Sequence, residues 1–179
     1  LTLSGANSIT GTKTISGGIL SISSDGNLGA VPGSVQSSHL TFSGGTLQTT
    51  ANFTLNTNRG INLSGNGTIH TNTSTQLDYG GLITGTGSLT KSGAGTLLLS
   101  ANNNFTGNLN LDGGTLSASA VGQLGTGTNT ITFDGGTLLA TADFTLDSSR
   151  NISLDGNGGF NVDAGFTLDY AGVISGSGA

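Results

Sequence analysis

Nine carboxylates, all of them aspartate, are the groups of this 179-residue chain best suited to chemistry. Two carboxylates facing one another across a cleft can act as general acid and base on a glycosidic bond. A denser group offers the hard oxygen ligands that Ca²⁺ prefers. Both uses require the acids to converge, and the chain's internal repetition provides a test. When the sequence is laid over itself at an offset of 91, Asp134, Asp143, Asp147, Asp155 and Asp163 fall opposite Ser43, Asn52, Asn56, Ser64 and Asn72, and only Asp169 meets another aspartate, Asp78. A unit that recurs without five of its acids does not need them to fold. They read as a solvated acidic face that keeps the exterior soluble. "DGNGGFNVD", Asp155 to Asp163, has a calcium-loop composition but occurs once, and its counterpart "SGNGTIHTN" holds no aspartate. No catalytic, cofactor-binding or metal-ligating residue is assigned on these grounds.

The remaining polar candidates have plainer roles. Arg59 and Arg150 are matched at the same offset, as are Tyr79 and Tyr170. Each arginine is expected at a corner, donating to stacked carbonyls, and each tyrosine half in the core with its hydroxyl wet. His39 and His70 have no counterparts and are expected to be solvated. The four basic residues, Lys13, Arg59, Lys91 and Arg150, are scattered and the net charge is −5, so there is no electrostatic footprint for nucleic acid or an anionic membrane. There is no cysteine for a disulfide or a thiolate metal site. The many Gly-x-Gly strings are corners that open no helix, and no run of about 18 apolar residues could cross a bilayer.

The elements that would position such residues follow from repetition. With 33 glycines, one proline and only 7% charged residues, the chain must build its solvated face from Thr, Ser and Asn. "FSGGTLQTTANFTLNTNRGINLSGNG", Phe42 to Gly67, lies over "FDGGTLLATADFTLDSSRNISLDGNG", Phe133 to Gly158, without a gap, and upstream the offset becomes 96. The chain reads as one continuous segment of two copies, residues 1–88 and 97–179, joined by 89–96. A finer ladder runs through Leu20, Leu47, Ile69, Leu89, Leu116, Leu138 and Phe160. A second runs through Leu40, Ile61, Leu82, Leu109, Ile131, Ile152 and Val173, and a third through Leu1, Leu28, Phe53, Thr75, Leu97, Leu124, Phe144 and Phe166. Each stretch alternates apolar with small or polar residues, the period of a half-buried strand. Strands this short need neighbours above and below. The spacing predicts an all-β, right-handed parallel β-helix of about eight coils, each of about 22 residues with three short strands. The expected interior is Leu47, Phe53, Leu55, Ile61, Leu63, Leu97, Leu99, Leu116, Ile131, Phe133, Leu138, Phe144, Leu146, Ile152 and Leu154.

"ITGTGSLTKSGAGTLLLSANNNFTGNLNLDGGTL", Ile83 to Leu116, resembles the passenger-associated transport repeat of autotransporters: a G-x-G-x-LTK-x-G-x-GTL-x-L run, an Asn-aromatic-Thr-Gly turn and a GTL strand. A diverged second half recurs over Leu1 to Leu20, and the first few residues recur in the C-terminal "ISGSGA". The resemblance implies a β-helical passenger region of a type V secreted protein, carried to the surface of a Gram-negative bacterium through an outer-membrane barrel. Three functions compete. The leading one is a structural, non-catalytic stalk that aids translocation by folding coil by coil. The second is an adhesin-type module binding a glycan or host surface through its Thr- and Asn-lined face or the loop "AVPGSVQSSH", Ala30 to His39. The third, a polysaccharide-cleaving enzyme, needs the acids to converge. The partners expected are neighbouring coils of the same chain or head-to-tail copies, with no cofactor, no nucleic acid and no membrane contact by this segment. The expected location is extracellular, at the cell surface.

Overall fold

Alternation over three to five positions buries one face of an extended segment, and Gly, Asn and Ser at each break keep the segments short. The chain resolves this by winding. In the computed structural model, which describes residues 1–178, every strand pair is parallel and the only helical pieces are two 3₁₀ turns, Asp25–Leu28 and Val121–Leu124.

One side carries a continuous nine-stranded sheet: Thr2–Leu3, Ile19–Ile22, Thr46–Thr49, Gly67–Thr71, Leu89–Ser92, Leu109–Leu111, Ile131–Phe133, Ile152–Leu154 and Ile174–Gly176. The second side holds six strands: Phe53–Leu55, Gln76–Tyr79, Thr96–Leu99, Gly114–Ala118, Gly136–Ala140 and Gly159–Val162. The third is interrupted. It has Lys13–Ile15, Gln36–Phe42, Arg59–Leu63 and Ile83–Gly85, then two coils of loop, then the pair Phe144–Leu146 and Leu168–Tyr170. The result is a parallel β-helix of about eight coils rising ~4.8 Å each.

The columns differ from the three sequence ladders in one respect. Leu20, Leu47 and Ile69 do stand over one another on the first side, but Lys91, Leu111, Phe133 and Leu154 continue that column. Leu89 belongs to a neighbouring column with Leu109, Ile131, Ile152 and Ile174. Leu116, Leu138 and Phe160 stand on the second side over Phe53, Leu77 and Leu97. Leu40 and Ile61 register with Ile83 and not with Leu82, and Leu28 and Leu124 lie in the 3₁₀ turns. The step from Leu20 to Leu47 is a true coil with residues 30–35 thrown outward, the expected loop Ala30 to His39 ending where the strand Gln36–Phe42 begins, whereas the equally long step from Leu89 to Leu116 is one coil plus one side.

The cause lies in where matched strands fall. Thr46–Thr49 is on the first side and its offset match Gly136–Ala140 on the second. Phe53–Leu55 is on the second and its match Phe144–Leu146 occupies the third, and Arg59–Leu63 is on the third and its match Ile152–Leu154 on the first. From Thr46–Thr49 the first side is met four more times up to Ile131–Phe133, and Gly136–Ala140 is one side beyond. Matched strands are therefore four and one-third coils apart, and a ladder drawn at constant spacing must change sides between them.

Twelve of the fifteen expected interior residues are fully buried, and Phe53, Phe144 and Leu154 are partly buried against the same core. Phe53 and Phe144 open their sheets, so no strand pairs beneath them. Phe133 is fully buried, its ring centroid 4.8 Å from that of Phe160 in an edge contact. Phe133→Ala is expected to lower the unfolding free energy by about 3–5 kcal/mol. Phe133→Asp, which puts an unpaired carboxylate into a dry column, should abolish the cooperative melt followed by circular dichroism.

Candidate functional site: polar groups inside the coil corners

Period-two alternation fixes which polar residues enter the interior. Arg59 precedes the inward Ile61 and Leu63 at the same parity, Arg150 precedes Ile152 and Leu154, and Lys91 follows Leu89. All three cationic side chains are fully buried. Buried charge is costly unless hydrogen-bonded, and the corners supply the acceptors. The Arg59 guanidinium donates to the carbonyls of Ala30 (3.3 Å) and Gly29 (2.5 Å), and its Nε and Nη2 clasp the Asp25 carboxylate at 2.8 and 3.0 Å. Arg150 donates to the carbonyls of Leu124, Gly125 and Thr126 and to Asn129 Oδ1. Burial holds its pKa below the ordinary arginine value. Both arginines thus occupy corners and bind stacked carbonyls.

Tyr79 departs from expectation. It is fully buried, and its hydroxyl donates to the Arg59 carbonyl at 2.9 Å instead of meeting water. Burial pushes its pKa well above the usual tyrosine value. The ring fits because Gly81 has no side chain: a Cβ there would lie 2.5 Å from the phenol oxygen. Tyr170 repeats the bond to the Arg150 carbonyl at 2.6 Å but, with fewer coils over it, stays half-buried.

Lys91 is the group that composition hides. It stands in the apolar column between Ile69 and Leu111, and its ammonium donates to the carbonyls of Ser92 (2.8 Å), Gly93 (2.9 Å) and Gly113 (3.0 Å). Burial brings its pKa down to about 8. The bend it closes needs Gly93, whose φ is +73° and whose Cβ would fall 2.3 Å from the Thr71 carbonyl oxygen.

His39 is buried as well, contrary to the solvated setting expected of it. A register shift between Gln36 and Leu40 turns both His39 and Leu40 inward. Its Nε2 lies 3.1 Å from Lys13 Nζ. Burial first, then the Lys13 and Arg59 charges, hold its pKa below the usual histidine value. His70 is half-buried, its Nδ1 3.2 Å from Ser92 Oγ.

The aspartates are spread along the helix. Asp25 serves Arg59, Asp143 accepts from the Thr167 amide, Asp147 from Ser149, Asp155 from Ser153, and Asp78 from Gln76. Asp112 and Asp134 follow paired residues on adjacent coils, and partial desolvation of the otherwise exposed Asp112, with the Asp134 charge adding to it, raises the Asp112 pKa. Among the described residues, no three His or Asp side chains form a group able to hold a metal ion.

Two pH responses follow. Lys91 releases its proton in the folded chain near pH 8 but in the unfolded chain near 10.5, so stability should rise with pH between those values. Lys91→Met should flatten that slope in denaturant titrations run at pH 7.5, 8.5 and 9.5. Asp112 has the opposite sign: its penalty is present at neutral pH and vanishes once both states are protonated. Asp112→Asn should therefore raise the melting temperature at pH 7 and leave it unchanged near pH 3.

Comparison with known proteins agrees with this geometry. A family model described as the passenger-associated-transport-repeat matches residues 1–22 and 89–118, the second range running from Leu89 through the Lys91 corner. Over 85 residues, 48% of this chain, the sequence is 51% identical to the adhesin BmaC autotransporter of Brucella suis biovar 1 (strain 1330), and the aligned stretch is 2% of that relative's length. No solved structure matches. The two matched ranges are thus similar to the passenger-associated transport repeats of autotransporters, and the structure lays both on stacked coils of one parallel β-helix.

Proposed function

We propose that this segment is a rigid, non-catalytic shaft within an autotransporter passenger, displayed on or released from the surface of a Gram-negative cell. The observation that carries this reading is the mode of stabilisation: each coil is hydrogen-bonded to the next along the whole length, and three buried cations donate to corner carbonyls. A nearest-neighbour solenoid of this kind adds stability coil by coil, which suits a chain that emerges from a membrane pore and folds as it appears.

The two faces at the tips are open. Leu1 is 81% exposed and Val173 77%, and a cleft of about 240 Å³ at the C-terminal tip is walled by Leu146, Phe160, Val162, Leu168, Tyr170 and Ile174. In the shaft reading these surfaces are covered by further coils, or by head-to-tail copies of the same segment. The test is to extend the segment by a second copy of its own residues Leu89–Leu111, placed after the last residue. The melting temperature should rise, as each added coil stabilises its neighbour. An extension that leaves it unchanged overturns the shaft reading.

A second reading rests on the loop 30–39 and on the adhesin name of the relative. Val31 and Val35 are exposed, while the loop is pinned at its base by Asn58 Nδ2 donating to the Pro32 carbonyl at 2.8 Å. Exposed apolar groups on a pinned loop are what an adhesive contact requires. Replacing the exposed Val31 and Val35 by serine should leave the helix folded and remove adherence of the segment to host cells if the loop carries binding.

A further inference from the structure

The two buried arginines sit at offset-matched corners, yet they are not equally satisfied. At the first, Asp25 supplies a carboxylate that takes Arg59 Nε at 2.8 Å, Arg59 Nη2 at 3.0 Å and the Asn56 amide at 3.0 Å. At the second, the offset of 96 puts Val121 where Asp25 stands. Arg150 keeps its carbonyl acceptors and Asn129, but its Nε is buried and has no hydrogen-bond partner. Arg59–Asp25 is the only ion pair among the described residues, so the Arg150 charge lacks a carboxylate in contact. Beside it the surface opens into a depression of about 350 Å³, lined by Val121, Gly122, Gly125, Gly127, Thr145, Asp147 and Arg150.

We propose that this depression is a binding site for a single sugar carboxylate, of the uronic-acid class, which takes on Arg150 the place that Asp25 takes on Arg59. Three features set the chemistry. The orphan Nε–H asks for an acceptor, and a carboxylate is the acceptor the first corner uses. The Asp147 carboxylate on the rim opposes any anion, a doubly charged one such as phosphate or sulfate more than a single carboxylate, while its Oδ2 can accept from a hydroxyl group. The three glycines leave a low, largely apolar wall against which the C–H face of a sugar ring can lie, with Thr145 and Asp147 available to its hydroxyl groups. The inference is independent of the shaft reading, since a spacer can carry such a site or lack one.

The experiment uses the whole segment and follows its melting temperature with glucuronate, acetate, glucose and sulfate at matched ionic strength. Glucuronate should stabilise the protein saturably, acetate more weakly, and glucose and sulfate not at all. Val121→Asp, which installs the resident acid of the first corner, should raise the melting temperature without ligand and weaken the glucuronate response about tenfold or more. Asp25→Val should create a second glucuronate response at Arg59; should that variant fail to fold, the Val121→Asp pair of measurements decides alone. Absence of a saturable glucuronate shift in the parent, or a shift that survives Val121→Asp, overturns the proposal. A response to acetate equal to that of glucuronate overturns the sugar and points to an acidic peptide side chain instead.

Discussion

Every coil must close three sides in about 21 residues and land its inward side chains on those of the coil beneath, and this vertical register is the constraint on which everything else rests. A strand of three or four residues has no stability alone. It persists here because backbone groups pair above and below and because columns such as Phe53, Leu77, Leu97, Leu116, Leu138 and Phe160 bury one another. The same constraint explains where burial fails: Phe53 and Phe144 lie on strands with no partner beneath.

Corners are the weak points of such a winding, since carbonyls there turn away from the ladders. This chain closes several of them with buried cations. Arg59, Arg150 and Lys91 enter the interior at strand parity and donate to carbonyls at their bends, and Tyr79 adds its hydroxyl to the Arg59 carbonyl. The arrangement accounts for an odd inventory, in which a protein with only four basic residues hides three of them completely. The Lys91 corner lies inside the second range matched by the repeat family.

The advance of four and one-third coils between matched segments has a geometric consequence. Features recurring in the sequence are carried one side round at each recurrence, so the 3₁₀ turns and their arginines point in different directions along the shaft. The interrupted third side, with strands missing over two coils, is where the second corner takes the place that the first holds on the second side.

The sequence alone determined the fold class, the coil length and most of the interior, because period-two alternation and a repeating spacing are local properties that survive without knowledge of neighbours. It also determined that the arginines are corner residues. Parity could have placed Lys91 inside, since the residue two after an inward leucine shares its face, but a lone lysine reads as solvated until its acceptors are seen. Three things were left to the tertiary structure. Which beats stack on which depends on the third-of-a-coil advance, and no constant spacing reveals a change of side. The burial of His39 depends on a register shift between Gln36 and Leu40, which the strand pairing decides. The unequal satisfaction of Arg59 and Arg150 depends on Asp25 and Val121, residues some thirty positions from the arginines they border and brought there only because the chain has wound once between them.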